Sequence, residues 1–109
     1  SLYKPDSNQA QTLSGAVANN QRVIDIKVKD STASPTEIFV KEGEKVKLNL
    51  DNNGASSCAE TLFGGDLFDE PIILSEVGSE VSRSFTAPES GQYAITCAMG
   101  MFNLKVNVI

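Results

Sequence analysis

The sequence predicts an all-β domain, a β-sandwich of about seven to eight short strands. First, apolar residues alternate with polar ones in several stretches: Ile24, Ile26 and Val28; Val46, Leu48 and Leu50; Phe102, Leu104, Val106 and Val108. A strand with one buried face requires that two-residue period, because successive side chains point to opposite sides. Second, turn chemistry recurs at sandwich-like intervals: Ser34-Pro35-Thr36, Glu42-Gly43-Glu44, Asn52-Asn53-Gly54, Gly64-Gly65-Asp66 and Pro88-Glu89-Ser90-Gly91. Third, no stretch holds a convincing helical period, and no internal repeat is present.

Taken in order, residues 1–21 are polar, rich in Ser, Asn and Gln, and carry Pro5 and Gly15. They offer little to bury and are expected to be a flexible tail or tether, with the folded domain spanning 22–109. The first strand pattern starts near Arg22 and ends before Pro35. Ile38-Phe39-Val40 is a short apolar run. Lys45 to Asp51 is a half-buried strand that the Asn-Asn-Gly turn is expected to close. Cys58 to Phe63 is expected to be extended. Pro71 to Leu74 reads as a short edge piece, with Pro at the residue where a missing donor is tolerated. Val81, Arg83 and Phe85 share a face of the next strand. Tyr93, Ile95 and Cys97 share a face of the strand after it, and Phe102 to Ile109 forms the last.

Composition excludes several function classes. The 109 residues make one domain, large enough to form a core without staples. The net charge of −5 and the lack of a basic patch argue against nucleic acid. No apolar run is long enough to span a bilayer, and the first residues show no basic-then-apolar leader. There is no His, so His-based acid–base chemistry and triads are excluded, and no carboxylates are spaced as a catalytic pair. A non-enzyme is expected.

The sulfur atoms are distributed unevenly. Cys97-Ala98-Met99-Gly100-Met101 holds every Cys and Met of the chain except Cys58. Thiols and thioethers are soft donors, the set that selects Cu(I). By parity Cys97 faces the core at the open end of its strand, and Cys58 follows the turn that ends another core strand. Two strand ends at one pole of a sandwich can bring two sulfurs close together. By count alone the two cysteines are either a disulfide or metal ligands.

The run from Ser90 to Met101, with Gly91-Gln92-Tyr93 leading to Cys97 and a ligand-bearing loop before the last strand, resembles the copper loop of the cupredoxins, the plastocyanin-like proteins. The resemblance covers roughly residues 22–109 and implies a Greek-key sandwich. A blue-copper site uses two His, one Cys and a weak axial Met. Here Cys58 lies after the Asn-rich turn where such proteins carry their first His, and Met99 lies where the second is expected. The pattern is similar to the plastocyanin-like Cu(I) chaperones of bacterial copper resistance, and to the matching N-terminal metal-binding domain of copper-exporting P-type ATPases. Their Cys-x-Met-Gly-Met motif maps onto Cys97, Met99, Gly100 and Met101, and their distal Cys onto Cys58. The Gly that usually follows that motif is missing, with Phe102, Asn103 and Leu104 in its place.

The resemblance implies one or two Cu(I) ions held by Cys58, Cys97, Met99 and Met101, and transfer by ligand exchange to a copper-exporting P-type ATPase. It implies a monomer attached to the bacterial membrane through an upstream anchor, facing the cytoplasm. The two cysteines would make the tight site. Met99 and Met101, aimed at one point by a turn at Gly100, would add a weaker one. The rivals are an electron-transfer cupredoxin, which the missing His disfavours, and a disulfide-stapled interaction module. An immunoglobulin domain would carry Tyr-x-Cys and a core Trp; here Tyr93 and Cys97 are separated by three residues and Trp is absent. Tyr93 is expected to cap the Pro88–Gly91 turn, and Phe63 and Phe102 to pack in the core or shield the site. From Cys58 to Ser82 the chain has no Lys or Arg but carries Glu60, Asp66, Asp69, Glu70, Glu76 and Glu80, a solvated surface or a docking face for a basic partner.

Overall fold

Alternating side chains build two facing sheets around one core. The computed structural model describes residues 12–109 and holds ten strands. They are β1 (Ala16–Ala18), β2 (Gln21–Asp30), β3 (Thr32–Ser34), β4 (Glu37–Val40), β5 (Lys45–Ala55), β6 (Thr61–Leu62), β7 (Ile72–Ile73), β8 (Glu80–Thr86), β9 (Gly91–Thr96) and β10 (Asn103–Val108). The larger sheet runs β1-β2-β5-β8, with β3 also paired to β2; the smaller runs β9-β10-β4. The pairs β2/β5 and β10/β4 are parallel, and neither joins consecutive strands. The chain therefore crosses between the sheets, as a sandwich demands.

The core is the set the alternation marks. Ile24, Ile26 and Val28 of β2 and Val46, Leu48 and Leu50 of β5 are buried from the larger sheet. They face Ile38 and Val40 of β4, Ile95 of β9, and Leu104, Val106 and Val108 of β10. The small β6/β7 ribbon adds Leu62 and Ile72, both fully buried. A bridge between Phe63 and Thr96 ties this ribbon to β9. Among the described residues the only helical element is a 3₁₀ turn, Cys58–Glu60.

Three expectations are corrected. The expected tail boundary at residue 21 falls too late, because β1 pairs with β2 from Ala16↔Val23 to Ala18↔Gln21. Asn19 and Asn20 both take positive φ, 55° and 62°, the geometry of a tight hairpin turn that Asn accepts better than most residues. Ser14 then docks on the other sheet, its N–H donating to the Phe39 carbonyl while its hydroxyl accepts from the Phe39 N–H. The remainder of the expected tail, residues 1–11, lies outside the described residues. Second, β3 is a strand beyond those expected, folded back on β2 through Asp30 at φ 53°. Third, Asn52-Asn53-Gly54 does not end β5, which runs to Ala55. Its turn chemistry makes a bulge instead, where the register slips between Val28 and Asp30 and Gly54 takes φ 102°.

Candidate metal centre

The sulfur pole is built by two short segments. The first is the link from β5 to β6. Asn52, 2% exposed, accepts the N–H groups of Gly54 and Ala55 at 3.2 and 2.8 Å through Oδ1, and donates through Nδ2 to the Leu74 carbonyl at 3.0 Å. The bulge it closes leads to Ser56, whose N–H donates to the Asp30 carbonyl and whose hydroxyl lies 2.7 Å from that of Ser31. The Ser56 oxygen also accepts the Ala59 N–H at 3.4 Å, so the turn carrying Cys58 is pinned to the β2–β3 corner.

The second segment is the loop from β9 to β10. Strand parity points Tyr93, Ile95 and Cys97 inward, and Cys97 is 3% exposed. The Gly100 N–H closes a turn on the Cys97 carbonyl at 3.0 Å, and Gly100 takes φ 77° there. Cys97 and Phe102 face each other across the loop. The Cys97 N–H donates to the Phe102 carbonyl at 3.4 Å, and the Phe102 N–H donates to the Cys97 Sγ at 3.3 Å.

The two cysteines meet. Cys58 and Cys97 have Cα atoms 5.9 Å apart, and their sulfurs are joined as a disulfide. Of the two uses that the count left open, the structure shows the disulfide. The reason is geometric, since a placement that puts two sulfurs on one small ion also puts them within bonding reach of each other. Met99 and Met101 project outward at 80% and 64% exposure. Met99 lines an open cavity of about 350 Å³ with Ser57, Cys58, Thr61, Phe63 and Ala98; Met101 is not part of that lining.

Both aromatic expectations separate. Phe102 is fully buried, a core residue. Phe63 is 41% exposed and lies at the cavity wall, held by paired backbone bonds with Thr96 at 2.7 and 3.0 Å. Tyr93 caps its corner, its hydroxyl donating to the Glu89 carbonyl at 2.7 Å. Among the described residues no three His, Cys, Asp or Glu side chains gather as a metal cluster. Once the disulfide is reduced, the pole offers two thiolates and two thioethers, a donor set that fits Cu(I) and suits a harder ion poorly.

The sequence matches the family model of the cupredoxin-like domain over residues 6–109. Solved structures share the fold. The metal-binding domain of the Cu(I)-exporting P-type ATPase CopA of Streptococcus pneumoniae D39, determined with Cu(I), is 21% identical with a TM-score of 0.74, covering 94% of this chain and 99% of that one. A copper-binding protein in its apo form is 21% identical with a TM-score of 0.78, covering 93% and 100%. Reduced auracyanin from Roseiflexus castenholzii is 16% identical with a TM-score of 0.61, covering 80% and 96%. Comparison with curated proteins finds no match.

Proposed function

This chain belongs to the cupredoxin-like domain family, and on that premise we propose that it is a Cu(I)-binding metallochaperone of copper resistance. In this reading Cys58 and Cys97 hold the ion tightly, Met99 and Met101 supply a second and weaker set of donors, and the copper passes to an exporting P-type ATPase. The observation that carries it is the convergence of the chain's only two cysteines at one pole, beside its only two methionines, in a chain without His. A blue-copper electron carrier needs two imidazoles, and this chain has none to supply.

The exposed methionines favour cargo over a resident cofactor. A rim of weak donors beside a tight pair suits stepwise exchange with a partner's thiols. Thiolate ligands must be deprotonated, so affinity falls as pH drops. A cytoplasmic, membrane-tethered setting accords with this role, because a reducing compartment keeps the pair open. A second reading is that the chain is itself the metal-binding domain of such an ATPase. Its likeness to the pneumococcal domain over nearly the full length of both chains favours keeping it.

The test is an anaerobic Cu(I) titration of the reduced protein against a competing chelator, with a thiol count beforehand. One tight ion and a second weaker one are expected, without a blue Cu(II) band. The double variant Met99→Leu, Met101→Leu should lose only the weaker ion. Loss of both ions would refute the division of labour, and a reduced protein with two free thiols and no Cu(I) affinity would overturn the function.

A further inference from the structure

The two sulfurs of the disulfide are not equivalent. Cys97 is buried among core residues at 3% exposure, whereas Cys58 is partly exposed and lines the cavity. At about 350 Å³ that cavity falls within the range that admits a small molecule. Its walls are the apolar Phe63, Ala98 and Met99, with the hydroxyl-bearing Ser57 and Thr61 beside Cys58. The hydrogen bonding is unequal as well. The Phe102 N–H donates to the Cys97 sulfur, and among the described residues no hydrogen bond reaches the Cys58 sulfur.

We propose that Cys58 is a modification site for low-molecular-weight thiols, the sulfur through which the Cys58–Cys97 pair is opened and closed. An external thiolate enters the cavity and forms a bond to the Cys58 Sγ. The Cys58–Cys97 bond breaks, and its electron pair leaves on the Cys97 Sγ, where the Phe102 N–H meets the developing negative charge. A second external thiolate attacks the external sulfur of the adduct. It releases the Cys58 thiolate and forms the external disulfide. Two external thiols thus supply the two electrons that reduce the protein. An external disulfide drives the same steps backward, with Cys58 modified first and Cys97 resolving the adduct.

The exchange stands without copper. Its consequence, switching the pole between a closed pair and a dithiol able to take Cu(I), rests on the function proposed above. The test therefore contains no copper, so the two ideas fail separately. Cys97→Ser and Cys58→Ser variants of this chain are reacted with glutathione disulfide, and the adduct is followed by mass spectrometry. The Cys58 thiol, present alone in Cys97→Ser, is expected to react at least about tenfold faster than the Cys97 thiol, present alone in Cys58→Ser. In parallel, the reduced wild-type chain is treated with substoichiometric iodoacetamide and mapped, with the label expected on Cys58. If a variant fails to fold, the wild-type map decides alone. Equal rates, a faster Cys97, or label shared evenly between the two would overturn the proposal.

Discussion

Asn52 does more to place the sulfur pole than its position in a turn-like tripeptide suggests. Its side chain satisfies two backbone donors and one backbone acceptor in a buried position, and its own N–H and C=O bond to Ser79 and Gly78. The bulge replaces ordinary ladder pairing, so without the amide those groups lose their partners. Asn52→Ala is expected to cost about 2–3 kcal/mol in urea unfolding, because buried groups left unsatisfied carry a desolvation penalty. An equal Cu(I) affinity in the reduced variant would show that Asn52 serves stability alone. At this same scale Cys97 was legible from the sequence, since the alternation of Tyr93, Ile95 and Cys97 fixes which way its sulfur points. Cys58 was not legible in that way. It follows a bulge and sits on a 3₁₀ turn, where no two-residue period applies.

Elements with strong periodicity appear where the sequence places them; those made by short reversals do not. The strands β2, β5 and β10 each bury the alternating set, and the loop between β9 and β10 turns at Gly100 as expected. The missed strands β1 and β3 are three residues each, too short for any period to register. Asn19-Asn20 was the available signal for the first, a dipeptide suited to positive φ at both positions. The hairpin also depends on Gly15, which takes φ 61° with the Val23 carbonyl against the place a Cβ would occupy. Gly15→Ala is expected to detach β1, costing about 1–2 kcal/mol through strain and lost pairing. Amide exchange at Ala16–Ala18 checks this, and unchanged protection would contradict it.

Across the whole molecule, the two sheets are clamped at one end by a buried cation. Arg22 of β2 donates from Nε to the Glu44 carboxylate at 2.7 Å and from Nη1 to the Ser14 carbonyl at 2.8 Å. Ser14 in turn holds Phe39 of the opposite sheet. Burial by itself raises the pKa of Glu44. The hydrogen bond from Arg22, the Lys41 N–H and the charges of Arg22 and Lys41 outweigh it and hold the carboxyl below its usual range. A carboxyl lowered in the folded state contributes stability that is full above its unfolded value. That contribution is lost as pH falls from there through the lowered folded value. Glu44→Gln is therefore expected to lower stability by about 1–3 kcal/mol at neutral pH, leaving Arg22 without its counter-charge. The deficit should shrink as the medium is acidified through the glutamate range. Thermal melts at neutral and acid pH would reveal this, and a deficit independent of pH would exclude the ion pair as its source.

The sequence by itself determined the all-β class, the core residues, the inward face of Cys97 and the soft donor set, because each follows from local period or from residue chemistry. Only the tertiary structure decided that the N-terminal hairpin belongs to the fold, that Asn52-Asn53-Gly54 makes a bulge, that Phe63 lines the cavity while Phe102 fills the core, and that Cys58 approaches Cys97 from a 3₁₀ turn. Each of these depends on which distant segment the chain lies against. The state of the two sulfurs lies on the same side of that division. Residue type supplies two thiols, and only their approach across the sandwich lets them join.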